Sequence, residues 1–117
     1  MKTSKELDAL RRRRQRLAER LAKIGWLLQG TITERIDTRV VRKVEDGENI
    51  HARYYQWTFK RQGRTVTVNL APAQAKTYQK AIDNQRKADK ILQEMRTISL
   101  EFLDATTLSP KRRNTAP

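Results

Sequence analysis

Apolar residues change their spacing twice along this chain, and that switch constrains its fold more than any other feature. In residues 4–28, Leu7, Leu10, Leu17, Leu21, Ile24 and Leu28 recur at steps of 3, 7, 4, 3 and 4. This is a heptad stripe in which Arg14 takes one seam position and Ala18 and Ala22 widen the apolar face. From residue 30 to 70 the period falls to two, and from 71 to 105 it returns to a helical one. A helix, a group of strands and a second helix follow, so the expected class is α+β.

The local signals place the elements. Ser4 suits an N-cap, with Glu6 and Asp8 in the first turn, where the helix dipole favours anions. Gly30 reads as the stop, which makes the first helix ~37 Å long at 1.5 Å per residue. A first strand is expected from Thr31 to about Val41, and a second from about Ala52 to Arg61. The third runs from Arg64 to Leu70 after a tight Gln62-Gly63 turn. Residues 45–49 form a polar loop. Alternation sorts the strands into two faces. Tyr55, Trp57 and Phe59 join Val66, Val68 and Leu70 as an apolar core face. Thr31, Thr33 and Arg35 share the other with Tyr54, Gln56, Thr58, Lys60, Thr65, Thr67 and Asn69.

Pro72 suits the opening turn of the last helix. Ala81, Ala88, Ile91, Met95, Ile98 and Phe102 form its row, flanked by Tyr78, Ile82 and Leu92. At ~50 Å such a helix outruns a three-stranded sheet. Its excess is expected to pack antiparallel on the first helix, or on helices of a second chain through the heptad rows, which favours a homodimer. The organisation is one helix-sheet-helix domain over residues 1–105: a long N-terminal helix, a three-stranded antiparallel meander and a long C-terminal helix. Residues 106–117, with Lys111-Arg112-Arg113, are expected to be a disordered basic tail.

Charge narrows the function. Lys and Arg number 26 against 13 Asp and Glu, for a net charge of +13. Residues 1–29 hold nine basic and three acidic residues, whereas residues 71–105 are near neutral with six and five. The second helix is therefore scaffold, and the first helix and the tail carry most of the field. A surplus of this kind points to a polyanion, with nucleic acid first. No apolar run spans a bilayer and no secretory signal is evident, so a cytoplasmic protein with no membrane partner is expected. With no Cys and the single His51, disulfides, thiolate or His-based metal sites and His-dependent triads are excluded. His51 is expected to be an ordinary surface residue. The carboxylates of the second helix, Asp83, Asp89, Glu94, Glu101 and Asp104, form no two-metal motif and are expected to pair with nearby cations, as Asp83 with Lys87. Neither an enzyme nor a cofactor is expected.

Candidate contacts follow from residue chemistry. Arg11, Arg12, Arg13, Arg16 and Arg20 are expected to meet phosphates through their planar donor forks. Arg35, Lys60, Arg61 and Arg64 extend the patch along the sheet, and Lys111, Arg112 and Arg113 add tail contacts. On the sheet, Gln56 offers a side-chain amide that can pair with adenine, and Tyr54 offers a ring for stacking.

Three stretches carry a resemblance: Gly30-Thr31-Ile32; Tyr54-Tyr55-Gln56-Trp57 with Gly63-Arg64-Thr65; and Ala81-Ile82-Asp83-Asn84-Gln85-Arg86 running to Met95 and Ser99. Over residues 5–102 the chain resembles a small uncharacterised bacterial domain family often found near transposase genes. Many members carry a Cys-containing insert between the first two strands. Here Val40 to Ile50 fill that place without Cys, which counts against metal binding. The resemblance implies a mobile-element setting and a DNA-related role. A weaker likeness, at the level of fold analogy, is to the sheet-plus-helix modules at the front of phage integrases, which lay the sheet on DNA.

The leading expectation is a non-enzymatic accessory or regulatory protein that binds double-stranded DNA. RNA binding is the first alternative. The second is a helical assembly module that docks on a larger transposase or ribonucleoprotein partner.

Overall fold

The computed structural model describes the backbone of residues 2–43 and 49–107, and the side chains of residues 2–37 and 53–107. The elements run α1 (Ser4–Ala22), β1 (Thr31–Lys43), β2 (Asn49–Arg61), β3 (Arg64–Leu70) and α2 (Pro72–Thr106). This is the α+β order that the change of period predicts. Two compact units divide the chain: a helical unit comprising residues up to Ile24 and from Lys87 onward, and a sheet unit comprising Gly25–Arg86. Among the described residues no helix is long and apolar enough to cross a membrane.

In the helical unit, α1 starts one residue earlier than its composition suggests. Thr3, not Ser4, is the N-cap, and its hydroxyl accepts a hydrogen bond from the Glu6 amide at 3.2 Å. The reason is the residue three positions on. A cap at Thr3 places Glu6 at N3, where its carboxylate accepts a bond from the Thr3 hydroxyl at 3.3 Å, whereas a cap at Ser4 would place Leu7 there.

The other end departs further from expectation. The heptad spacing predicts helix to residue 28, but α1 closes at Ala22, with the Lys23 amide donating to the Arg20 carbonyl and the Ile24 amide to the Leu21 carbonyl. Gly25 then takes φ 101°, a left-handed conformation that a helix cannot continue through. Gly25, not Gly30, thus ends the helical run. Nineteen residues give α1 a length of ~28 Å at 1.5 Å per residue.

The two heptad rows meet within this unit. Leu10 and Leu17 of α1 are buried with Ile91 and Ile98 of α2, and Leu7, Leu21, Ile24, Met95 and Phe102 pack around them. The helices run in opposite directions, so that Lys2 near the start of α1 reaches Glu101 near the end of α2 at 3.9 Å. Arg14, at the seam position, is exposed and lines the mouth of an apolar groove beside Leu10 and Phe102. At such a position an arginine's aliphatic stem can cover apolar surface while its charged head stays in water.

In the sheet unit the strands pair antiparallel in the order β1-β2-β3. Gln62 (φ 51°) and Gly63 (φ 77°) are both left-handed, which is the type I′ geometry a two-residue hairpin needs. The ladders set Ile32 opposite Trp57 and Trp57 opposite Val68, and on the other face Thr33 opposite Gln56 and Gln56 opposite Asn69. Both faces are therefore composed as the alternation predicts. β1 and β2 extend beyond the expected ends, to Lys43 and back to Asn49, across a register shift between Asp37 and Val41. The 45–48 part of the polar loop lies outside the described residues.

The first turns of α2 cover the apolar face. Leu70, Ala75 and Ile82 are buried, and Tyr78 meets Trp57 edge-on at 5.4 Å. Trp57 stacks on Phe59 with ring centroids 3.9 Å apart. Tyr55, Trp57 and Phe59 are nevertheless half-buried rather than fully enclosed, and Val68 is exposed. One helix has too little width to close over three strands. Along α2, Asp83 pairs with Arg86 at 3.7 Å, one turn position short of the expected Lys87.

Candidate nucleic-acid interface

The basic residues of α1 do not act as one block. At about 100° per residue, Arg12, Arg13, Arg16 and Arg20 fall within an arc of about 100°, and Arg11 stands well apart from them. Arg11 is also the committed one. It pairs with Asp8 at 2.7 Å and lies over the Phe102 ring at 5.1 Å. Arg12 is exposed and lines the apolar groove with Arg11 and Arg14. Arg13, Arg16 and Arg20 come together around a shallow hollow of about 220 Å³, floored by Leu17 and bordered by Glu94. None of these three makes an ion pair among the described residues, because the other carboxylates of α1 are turned elsewhere. Glu6 is taken by Lys2 and Thr3, Asp8 by Arg11, and Glu19 by the Gln15 amide. One carboxylate facing three guanidinium groups leaves the hollow strongly positive.

The polar sheet face is organised by cross-strand hydrogen bonds. Arg35 Nε donates to Gln56 Oε1 at 3.1 Å, and Gln56 Nε2 donates to Asn69 Oδ1 at 3.3 Å. Arginine has no acceptor, so its neighbour has to offer oxygen. Gln56 then has only its amide nitrogen to turn toward Asn69, which receives it with oxygen and keeps its own NH2 outward. The orientation of three side chains on three strands is set from Arg35. At the hairpin end, Lys60 Nζ donates to Thr65 Oγ1 at 2.7 Å, and Thr58 and Thr67 hydroxyls bond at 3.3 Å. Arg35, Gln56, Asn69 and Lys60 all keep N–H hydrogens beyond these bonds, suited to phosphate oxygens or base acceptors, and the Gln56 and Asn69 oxygens each keep one acceptor position. Asp37, half-buried, closes the far end of this face.

Other expected contacts separate by strand parity. Tyr54 stands opposite Arg35 on the polar face, half-buried rather than exposed for stacking. Arg61 and Arg64 are paired across the hairpin and belong to the aromatic side, where Arg61 lies over Phe59 at 5.8 Å. The structure therefore does not join them to Arg35 and Lys60. Arg53 stands on that same side, paired with Glu34 at 3.3 Å. Lys111, Arg112 and Arg113 lie outside the described residues, as does the side chain of His51. Among the described residues, no group of three or more His, Asp or Glu could hold a metal ion.

Trp26 is the residue that helical periodicity conceals. Taken as part of a helix to residue 28, it is one more position on a long element. In the structure it belongs to the segment after α1 and is 88% exposed. Gly25 inside the apolar run Ile24–Leu28 was the available signal. No family model, curated protein or solved structure matches the chain.

Proposed function

We propose that this chain is a non-enzymatic nucleic-acid-binding protein of accessory or regulatory type, with duplex DNA as its partner. One observation carries the reading: Arg13, Arg16 and Arg20 converge on a single hollow of α1 without ion-pair partners. Arginine forks placed this way are matched to phosphate oxygens, and their neutralisation by a polyanion releases condensed counterions. Arg12 lies on the same arc. Arg35, Gln56 and Lys60 add a row of donors on the sheet. The resemblance of the sequence to domains found near transposase genes favours DNA over RNA and mobile-element DNA as the setting.

The test is a salt titration of the full chain on a short labelled duplex. Four phosphate contacts give a slope of roughly −3.6 in log K against log salt. Replacing Arg13, Arg16 and Arg20 together by Gln lowers the slope by about 2.7. Binding that ignores salt, or a triple variant with an unchanged slope, overturns the reading. Tighter binding of a structured RNA in direct competition replaces DNA with RNA as the partner.

The groove beside Arg14 favours a second reading, docking of a larger protein. It measures about 580 Å³, and Phe102 and Leu103 line it together with Arg11, Arg12 and Arg14 and without a carboxylate. An acidic amphipathic helix is complementary to such a rim, whereas a second copy of this chain brings the same positive charge to the contact. A complex that survives nuclease treatment and is lost in Leu103→Glu supports this reading. Loss of every partner on nuclease treatment removes it.

A further inference from the structure

Residues 25–30 are held in place at three points. Asn84 Nδ2 donates to the Trp26 carbonyl at 3.0 Å, the Leu28 amide to the Ala81 carbonyl at 3.2 Å, and Trp57 Nε1 to the Gln29 carbonyl at 2.9 Å. Glycines at both ends take left-handed conformations, Gly25 at φ 101° and Gly30 at φ 121°. A Cβ on Gly30 would lie 2.6 Å from the Thr58 carbonyl oxygen and collide with the Trp57 ring. The backbone on either side of Trp26 is thus fixed, yet its ring projects into water and Leu27 beside it is 48% exposed. A large ring presented on an immobilised backbone loses little conformational freedom when something covers it.

The surroundings specify what covers it. Leu27 lines a hollow of about 430 Å³ with Phe59, Lys60, Arg61 and Gln85, and no carboxylate borders it. An exposed indole one residue along the chain from a hollow that holds Arg61 and no carboxylate matches a ligand that combines a flat ring with a phosphate. Bases within a duplex are already stacked on both sides, so the ligand is an unpaired one.

We propose that the sheet unit holds an unpaired nucleotide of a single-stranded segment, with its base stacked on Trp26 and its phosphate beside Arg61. This rests on the nucleic-acid reading above and adds the form of nucleic acid that this unit takes.

The experiment uses the full chain with labelled oligothymidine and, separately, a duplex of equal length. Oligothymidine is expected to quench the tryptophan emission of the wild type saturably, and Trp26→Ala to lose that quenching. Trp26→Ala weakens oligothymidine binding by roughly 5- to 150-fold and leaves duplex affinity within about twofold, the loss being that of one stacked base. Trp26→Phe recovers most of the affinity. If Trp26→Ala binds oligothymidine as tightly as the wild type, or loses both ligands equally, the proposal is overturned while duplex binding stands. If the wild type binds neither probe at low salt, both the proposal and the nucleic-acid reading fail.

Discussion

Gly30 tolerates change less than any other described glycine. Its left-handed backbone disfavours any side chain, and the Trp57 ring and Thr58 carbonyl occupy the space a Cβ needs. Gly30→Ala is expected to destabilise the fold by about 2 kcal/mol or more, read as a lower urea midpoint with an unchanged m-value. Gly63 also has positive φ but faces open space, so the cost there is conformational alone. At this scale much was legible in the sequence. Parity placed Arg35, Gln56 and Asn69 on one face because a period of two leaves no choice of side once the strands are paired. The direction of the Arg35-Gln56-Asn69 relay was not legible, since it depends on three residues meeting across three strands. The exposure of Trp26 was hidden for another reason: it depends on where α1 ends.

That end is an element-scale matter, and it shows what spacing alone conveys. Leu28 lies four residues after Ile24, so the stripe continues even though Gly25 has already turned the chain and the Leu28 amide bonds instead to Ala81. Periodicity reports which residues are apolar at helical intervals. It does not report the dihedral of the residue between them. The strands and the Gln62-Gly63 turn were legible because a turn imposes its conformation within two residues. α2 was legible because no Gly or Pro interrupts it after Pro72. The pairing of α1 with α2 through the heptad rows has a direct test. Leu17→Ala, at a buried position of that seam, is expected to cost about 2–5 kcal/mol in chemical denaturation. Leu100→Ser, at an exposed position of α2, is expected to remain within about 0.5 kcal/mol of the wild type.

For the whole molecule, charge sets the response to solvent. The net charge is +13, and the ion pairs formed by Lys2, Asp8, Glu34 and Asp83 all involve substantially exposed side chains. Exposed pairs contribute roughly 0–1 kcal/mol each, too little to outweigh repulsion among the surplus cations. The melting temperature is therefore expected to rise as sodium chloride increases from low salt to about 0.5 M, where the screening length falls to a few ångströms. A melting temperature that falls with salt would show the attractive pairs to dominate. β1, thirteen residues long, is an outer strand of the sheet, paired among the described residues with β2 on one side. The slip between Asp37 and Val41 divides its pairing into tracts of seven and three residues. A straight fourth strand from a neighbouring molecule would have to break step at that slip, and an irregularity of this kind is one of the devices by which outer strands resist edge-to-edge stacking.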